Sequence, residues 1–114
     1  MRGRQRSRRA QPAQGKPVHV QIMGEGFLDV FAARDISAGG VSISVPHRFE
    51  GCAIDQEVDL VISLPAERPF MARGRIVHRT KTSHEFFGVE FTRLADSHSA
   101  LIERYVDGRL RETA

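Results

Sequence analysis

The chain has 114 residues, 40% hydrophobic and 27% charged, which suits one soluble globular domain and is short for two. No run approaches the roughly 18 apolar residues that cross a bilayer, and the Arg-rich start has no apolar segment of the kind a secretory signal needs. A single cysteine, Cys52, excludes an intrachain disulfide and fits a reducing compartment, so a cytoplasmic protein is expected.

The formal charge of +3 conceals an asymmetry. Residues 1–16 carry Arg2, Arg4, Arg6, Arg8, Arg9 and Lys16 with no acid, whereas eleven basic and fourteen acidic side chains occupy the remainder. The basic balance therefore belongs to a leader, and such a leader is either a solvated tail or an arm for an anionic partner. With Pro12 and Gly15 and almost no apolar content, residues 1–16 are expected to be flexible.

Period two begins after Pro17. Val18, Val20 and Ile22 alternate with His19, Gln21 and Met23, predicting a first strand. Gly24-Glu25-Gly26 signals a turn, and residues 27–32 (FLDVFA) continue as a second strand, so the pair reads as a hairpin. Next comes residues 33–40 (ARDISAGG), then a clean alternation from Val41 to Val45. A longer loop from Pro46 to Gln56 precedes strands at 57–64 (EVDLVISL, stopped by Pro65), 69–80 (PFMARGRIVHRT) and 85–91 (EFFGVEF), the last after the turn KTSH. Six strands with short connections predict a mainly antiparallel sheet.

The ending changes period. Leu94, Leu101, Ile102, Tyr105, Val106 and Leu110 recur at helical spacing, with Asp96 or Ser97 placed to cap the helix and Gly108 weakening its last turn. The expected fold is mainly β: a six-stranded antiparallel β-barrel with a C-terminal α-helix. The expected organisation is a flexible Arg-rich leader, 1–16, and a barrel with its helix, 17–110.

Catalytic signals are weak. The five histidines, His19, His47, His78, His84 and His98, show no His-x3-His spacing, and Cys52 has no partner at Cys-x2-Cys spacing, so no metal is expected. Ser37 lacks the Gly-x-Ser-x-Gly elbow of a nucleophile, and Cys52 has no obvious base. No enzyme is expected. Arg73, Arg75 and Arg79 share one face of the fifth strand, either as its wet face or as a stripe for phosphate or an acidic partner. Gly39-Gly40 leads into a strand rather than a helix and has no P-loop lysine. Locally, Asp35 reads as an Asx-type turn whose glycines supply positive φ.

Taken together, an arginine-rich leader, a small barrel, and Asp35-x-Ser37-x-x-Gly40 after the second strand resemble the PilZ domain family of bacterial cyclic di-GMP receptors. The family signature pairs Arg-x3-Arg ahead of the barrel with a later Asp/Asn-x-Ser-x-x-Gly. ARGRIVHR and FFGVEF resemble its fifth and sixth strands, and the closing helix is similar to its C-terminal helix. Arg4-x3-Arg8 satisfies the first motif, as does Arg2-x3-Arg6. A second register gives Arg9 the first role and sets Ala13 where the second arginine belongs, which breaks the motif.

The resemblance implies a cyclic di-GMP site made of Arg4, Arg8, Arg9, Asp35, Ser37, Gly39 and Gly40, with no cofactor. Guanidinium groups suit it chemically, since they chelate a phosphate or the guanine O6/N7 edge and stack on a base. The implied output is a changed surface read by an effector protein in motility, adhesion or exopolysaccharide control. Two alternatives stay open: a PilZ-like adaptor that has lost the ligand, as Ala13 would indicate, and a small nucleic-acid-binding barrel with a basic arm. The leader has no aromatic side chain to serve as a base platform, which weighs against the last.

Overall fold

The computed structural model describes residues 8–24, 27–45, 53–80 and 85–112. Arg2, Arg4 and Arg6, residues 25–26, residues 46–52 with His47 and Cys52, and residues 81–84 with His84 lie outside the described residues.

Six strands close into an antiparallel barrel: β1 (His19–Gly24), β2 (Phe27–Ser37), β3 (Gly40–Val45), β4 (Glu57–Ser63), β5 (Phe70–Thr80) and β6 (Glu85–Arg93), in the spatial order β1-β2-β3-β6-β5-β4. Pairing of β1 with β4 completes the ring, with Val20 opposite Ile62 and Ile22 opposite Leu60. Closure leaves no sheet edge to template aggregation.

Alternation fills the interior. Val20 and Ile22, Phe31, Val41 and Ile43, Leu60 and Ile62, Ile76, and Phe87 are all buried, one set from each strand. Phe31 and Phe87 meet edge to face across the core, centroids 5.9 Å apart. Each such side chain stabilises the fold by about 1.5–3 kcal/mol relative to exposure.

Helix α1 (Asp96–Glu112) adds Ile102 and Val106 to that core. Its first backbone bonds run from His98 and Ser99 to the Ala95 carbonyl, so Ala95 occupies the cap and Asp96 acts as an acid in the first turn. Sequence placed the cap at Asp96 or Ser97. The helix also continues through Gly108, because Arg109 ties its last turn down, donating from Nε to the Gln11 carbonyl at 2.7 Å and pairing with Glu112 at 2.6 Å. No helix among the described residues is long and apolar enough to cross a membrane.

One expectation needs revision. The second strand does not stop at Ala32 but runs to Ser37, so Asp35 and Ser37 belong to a strand end. Arg73 and Arg75 of β5 lie on its wet face, the first of the two readings of that stripe, and pair with acids of the barrel. Arg73 bonds Glu57 at 2.9 Å and Asp59 at 2.8 Å, and Arg75 bonds Glu90 at 3.0 Å, each acid coming from a neighbouring strand. The Glu57 hydrogen bond, with Asp59 beside it, pushes the Arg73 guanidinium above its ordinary pKa.

Candidate functional site

The site begins where period two fails in β2. Phe31, Ala33 and Ile36 are buried, so Arg34 and Asp35 stand as consecutive outward residues. Pairing with β3 jumps accordingly from Ala33 opposite Ile43 to Asp35 opposite Ser42. A bulge of this kind adds one residue to a strand and re-aims its side chains.

Two residues further on, Ser37 closes the turn into β3. Its Oγ accepts from the Gly39 amide at 3.1 Å and donates to the Gly40 carbonyl at 3.4 Å. The turn is thus built by Ser37 rather than by an Asx contact of Asp35. Neither glycine takes positive φ; among the described glycines only Gly15 does, at 82°. Gly40 is needed for closeness instead, since a Cβ there would sit 2.3 Å from the Val89 carbonyl oxygen.

The leader completes the arrangement. Ala10 is buried and exchanges two backbone hydrogen bonds with Ile36, both 3.0 Å. Sequence expected the leader, 1–16, to be flexible; one small apolar residue among the arginines docks this part of it on β2. That bridge carries Arg9 over the strand end, where Nε donates to Asp35 Oδ1 at 2.6 Å and Nη1 to Ser37 Oγ at 3.3 Å. Ser37 therefore accepts two hydrogen bonds and donates one, the full capacity of a hydroxyl.

Of the residues singled out in the sequence, Arg9, Asp35, Ser37, Gly39 and Gly40 meet at one groove of about 930 Å³. Arg8 points elsewhere and pairs with Asp107 on α1. Arg4 lies outside the described residues. Ala13 sits in a tight turn, its carbonyl accepting from the Lys16 amide at 3.0 Å, with Gly15 supplying the positive φ. Among the described residues no group of three or more His, Cys, Asp or Glu side chains could hold a metal ion.

The groove also contains residues that the sequence reading did not select. Arg34, His78 and Phe86 line it as well. Two signals pointed there: the adjacent charges Arg34-Asp35 interrupting an alternation, and the strand glycine Gly88, a common mark of close approach.

Residues 4–108 match the PilZ domain family. The chain belongs to the PilZ domain family. Solved structures repeat the architecture. The PilZ domain of Escherichia coli YcgR, solved with c-di-GMP, superposes with a TM-score of 0.72 at 11% identity, covering 92% of this chain and 90% of that one. Bacillus subtilis MotI/DgrA, an inhibitor of motility, gives a TM-score of 0.73 at 19% identity, covering 91% and 50%. Apo MrkH of K. pneumonia gives 0.79 at 12% identity, covering 92% and 50%. This PilZ chain thus spans half the length of MotI and of MrkH, and its likeness to all three lies in the fold. Comparison with curated protein sequences gives no match.

Proposed function

We propose that this chain is a bacterial receptor for cyclic di-GMP, acting in the cytoplasm, with a ligand site drawn from Arg4, Arg8, Arg9, Asp35, Ser37, Gly39 and Gly40. The observation that carries the reading is Arg9 reaching both Asp35 and Ser37 at the rim of the groove. A guanidinium, a carboxylate and a hydroxyl thereby converge beside the Gly39-Gly40 turn.

The chemistry fits the ligand. Asp35 accepts from guanine N–H groups, and Ser37 donates to a phosphate or polar base atom once its turn bonds adjust. Arg9 chelates a phosphate or the O6/N7 edge. Arg8 joins when it leaves Asp107, moving from one anion to another. Within the proposed division into a leader, 1–16, and a barrel with helix, 17–110, Ala10 is the anchor on which the arginines pivot. Reordering this segment alters the surface beside α1, and that surface is what an effector protein in motility or exopolysaccharide control would read.

The test is calorimetric titration of cyclic di-GMP into the wild-type chain and into Arg8→Ala, Arg9→Ala and Asp35→Ala. Micromolar or tighter binding that each variant loses is the expected result. Absence of heat, and of NMR shifts at high ligand concentration, overturns it.

A second reading, an adaptor of the same fold that binds no nucleotide, draws on Ala13 in its turn and on Arg8 and Arg9 both being engaged by the protein's own carboxylates. Partner binding that survives deletion of residues 1–16, together with a silent titration, would select it.

A further inference from the structure

The groove that holds Arg9 and Asp35 is also lined by a second cluster that the signature motifs leave out. Arg34 comes from β2, His78 from β5 and Phe86 from β6. The guanidinium carbon of Arg34 lies 4.2 Å above the Phe86 ring centroid. His78 meets the same ring edge-on, centroids 6.1 Å apart at 84°.

Backbone irregularity on both sides of the groove produces this cluster. One bulge falls between Ala33 and Asp35, the other between Ile76 and His78. Each turns two consecutive residues outward, Arg34 with Asp35 and Val77 with His78. Gly88 then makes room for the imidazole, since a Cβ there would stand 2.4 Å from His78 Cε1. Asp35, Ser42, Gly88 and His78 are successive partners across four strands. Arg34 leaves the same strand as Asp35, but its guanidinium reaches past β3 to the Phe86 ring on β6, so the two groups serve different strands of the groove and suit a ligand offering two recognition groups.

Arg34 differs in its partner from the five arginines whose ion pairs are described above. Arg8, Arg9, Arg73, Arg75 and Arg109 each engage a carboxylate, whereas Arg34 is set on an aromatic ring. One face of its guanidinium is thereby fixed by Phe86, and the side chain is exposed in the wall of the groove. A guanidinium plane stacks on nucleobases, and one already held in place loses little side-chain entropy on doing so.

We propose that Arg34, held over the Phe86 ring and flanked by His78, is a stacking platform for a purine base, and that it forms the second contact point of the groove. The inference rests on the nucleotide reading above and assigns that site a purine-binding end that the signature motifs do not specify. A ligand anchored by one base at Asp35 lays its other base on Arg34. A lysine at position 34 would keep the charge and lose the plane.

The experiment titrates cyclic di-GMP into the wild-type chain and into Arg34→Ala, Arg34→Lys, Phe86→Leu and Gly88→Ala, with amide NMR spectra confirming that each variant is folded. Gly88→Ala displaces only the movable imidazole of His78, so it probes the platform without cutting into the barrel. Removing a base-stacking partner weakens binding about tenfold or more, and that loss is expected in Arg34→Ala, Arg34→Lys and Phe86→Leu. A smaller loss is expected in Gly88→Ala. In the wild-type complex, a guanine H8 proton should show a nuclear Overhauser contact to the Arg34 side chain. Wild-type affinity in Arg34→Ala and Phe86→Leu, or full rescue by Arg34→Lys, overturns the platform while the nucleotide reading stands. A wild-type chain silent to cyclic di-GMP overturns the nucleotide reading, and the platform with it.

Discussion

Arg9 and Asp35, 26 positions apart in sequence, meet at 2.6 Å through Nε and Oδ1. Their meeting follows from the antiparallel bridge between Ala10 and Ile36: Arg9 stands opposite Ser37, and its long side chain crosses diagonally to Asp35 on the same face of β2. An arginine of the leader and the acid of the Asp35-x-Ser37-x-x-Gly40 segment are thus joined directly. Both side chains keep access to water, 41% for Arg9 and 23% for Asp35. A pair of that exposure contributes little to folding.

The first prediction separates recognition from stability at this pair. A double-mutant cycle on Arg9→Ala and Asp35→Ala, followed by urea unfolding, should give a coupling of about 1 kcal/mol or less. Cyclic di-GMP affinity should fall about a hundredfold or more in either single variant, because each removes a charge-assisted contact to the ligand. A coupling of about 3 kcal/mol with unchanged affinity would make the pair a structural clasp.

Helix α1 holds the leader in a second way, through Arg8 with Asp107 and through Arg109 with the Gln11 carbonyl. Asp107→Asn combined with Arg109→Ala should therefore loosen the Ala10–Ile36 bridge. One exposed ion pair and one charged hydrogen bond together contribute about 2 kcal/mol, so amide exchange at Ala10 and Ile36 should quicken by about tenfold or more. Equal rates in the variant and the wild-type chain would show that Ala10 docks without help from the helix.

The barrel was legible because its interior is written in period two. Val20 and Ile22, Val41 and Ile43, and Leu60 and Ile62 each face inward from alternate positions, as the sequence pattern requires. The site was legible only in part. Asp35, Ser37 and Gly40 form a contiguous motif, whereas Arg9 was one of several arginines and its selection depended on Ala10 finding a buried partner 26 residues away. The Arg34 wall depended on two bulges, and a bulge appears in sequence only as an interrupted alternation. The roles of the glycines were also misread locally: Gly40 serves a close contact with β6, a cross-strand fact that no neighbouring residue announces.

That contact gives the third prediction. Gly40→Ala drives a methyl group to 2.3 Å from the Val89 carbonyl oxygen, and backbone cannot step aside as a flexible side chain does. Overpacking of this kind should cost about 1–3 kcal/mol in urea unfolding. Gly108→Ala is the opposite case, lying within α1 with open space around the new methyl group. It should stabilise by about 1 kcal/mol. Equal effects at the two positions would contradict the packing described for β3 and β6.

Tyr105 supplies a prediction with a pH sign. Its hydroxyl is buried on α1 and finds no hydrogen-bond partner among the described residues. Burial, opposed by the nearby Arg109 charge and aided by Glu112, pushes the phenol above its ordinary pKa of 10.0. Below that value the hydroxyl is protonated in both the folded and the unfolded chain, so it adds no pH dependence. Above it the unfolded chain releases the proton first, and stability falls as pH rises. Tyr105→Phe removes both the orphaned hydroxyl and this alkaline loss. Urea unfolding at neutral pH should show a gain of about 1 kcal/mol, and the advantage should widen above about pH 10. Tyr105 is the single tyrosine of the chain. Parallel stability curves for the two proteins through the alkaline range would show that the hydroxyl is as well solvated in the fold as in the open chain.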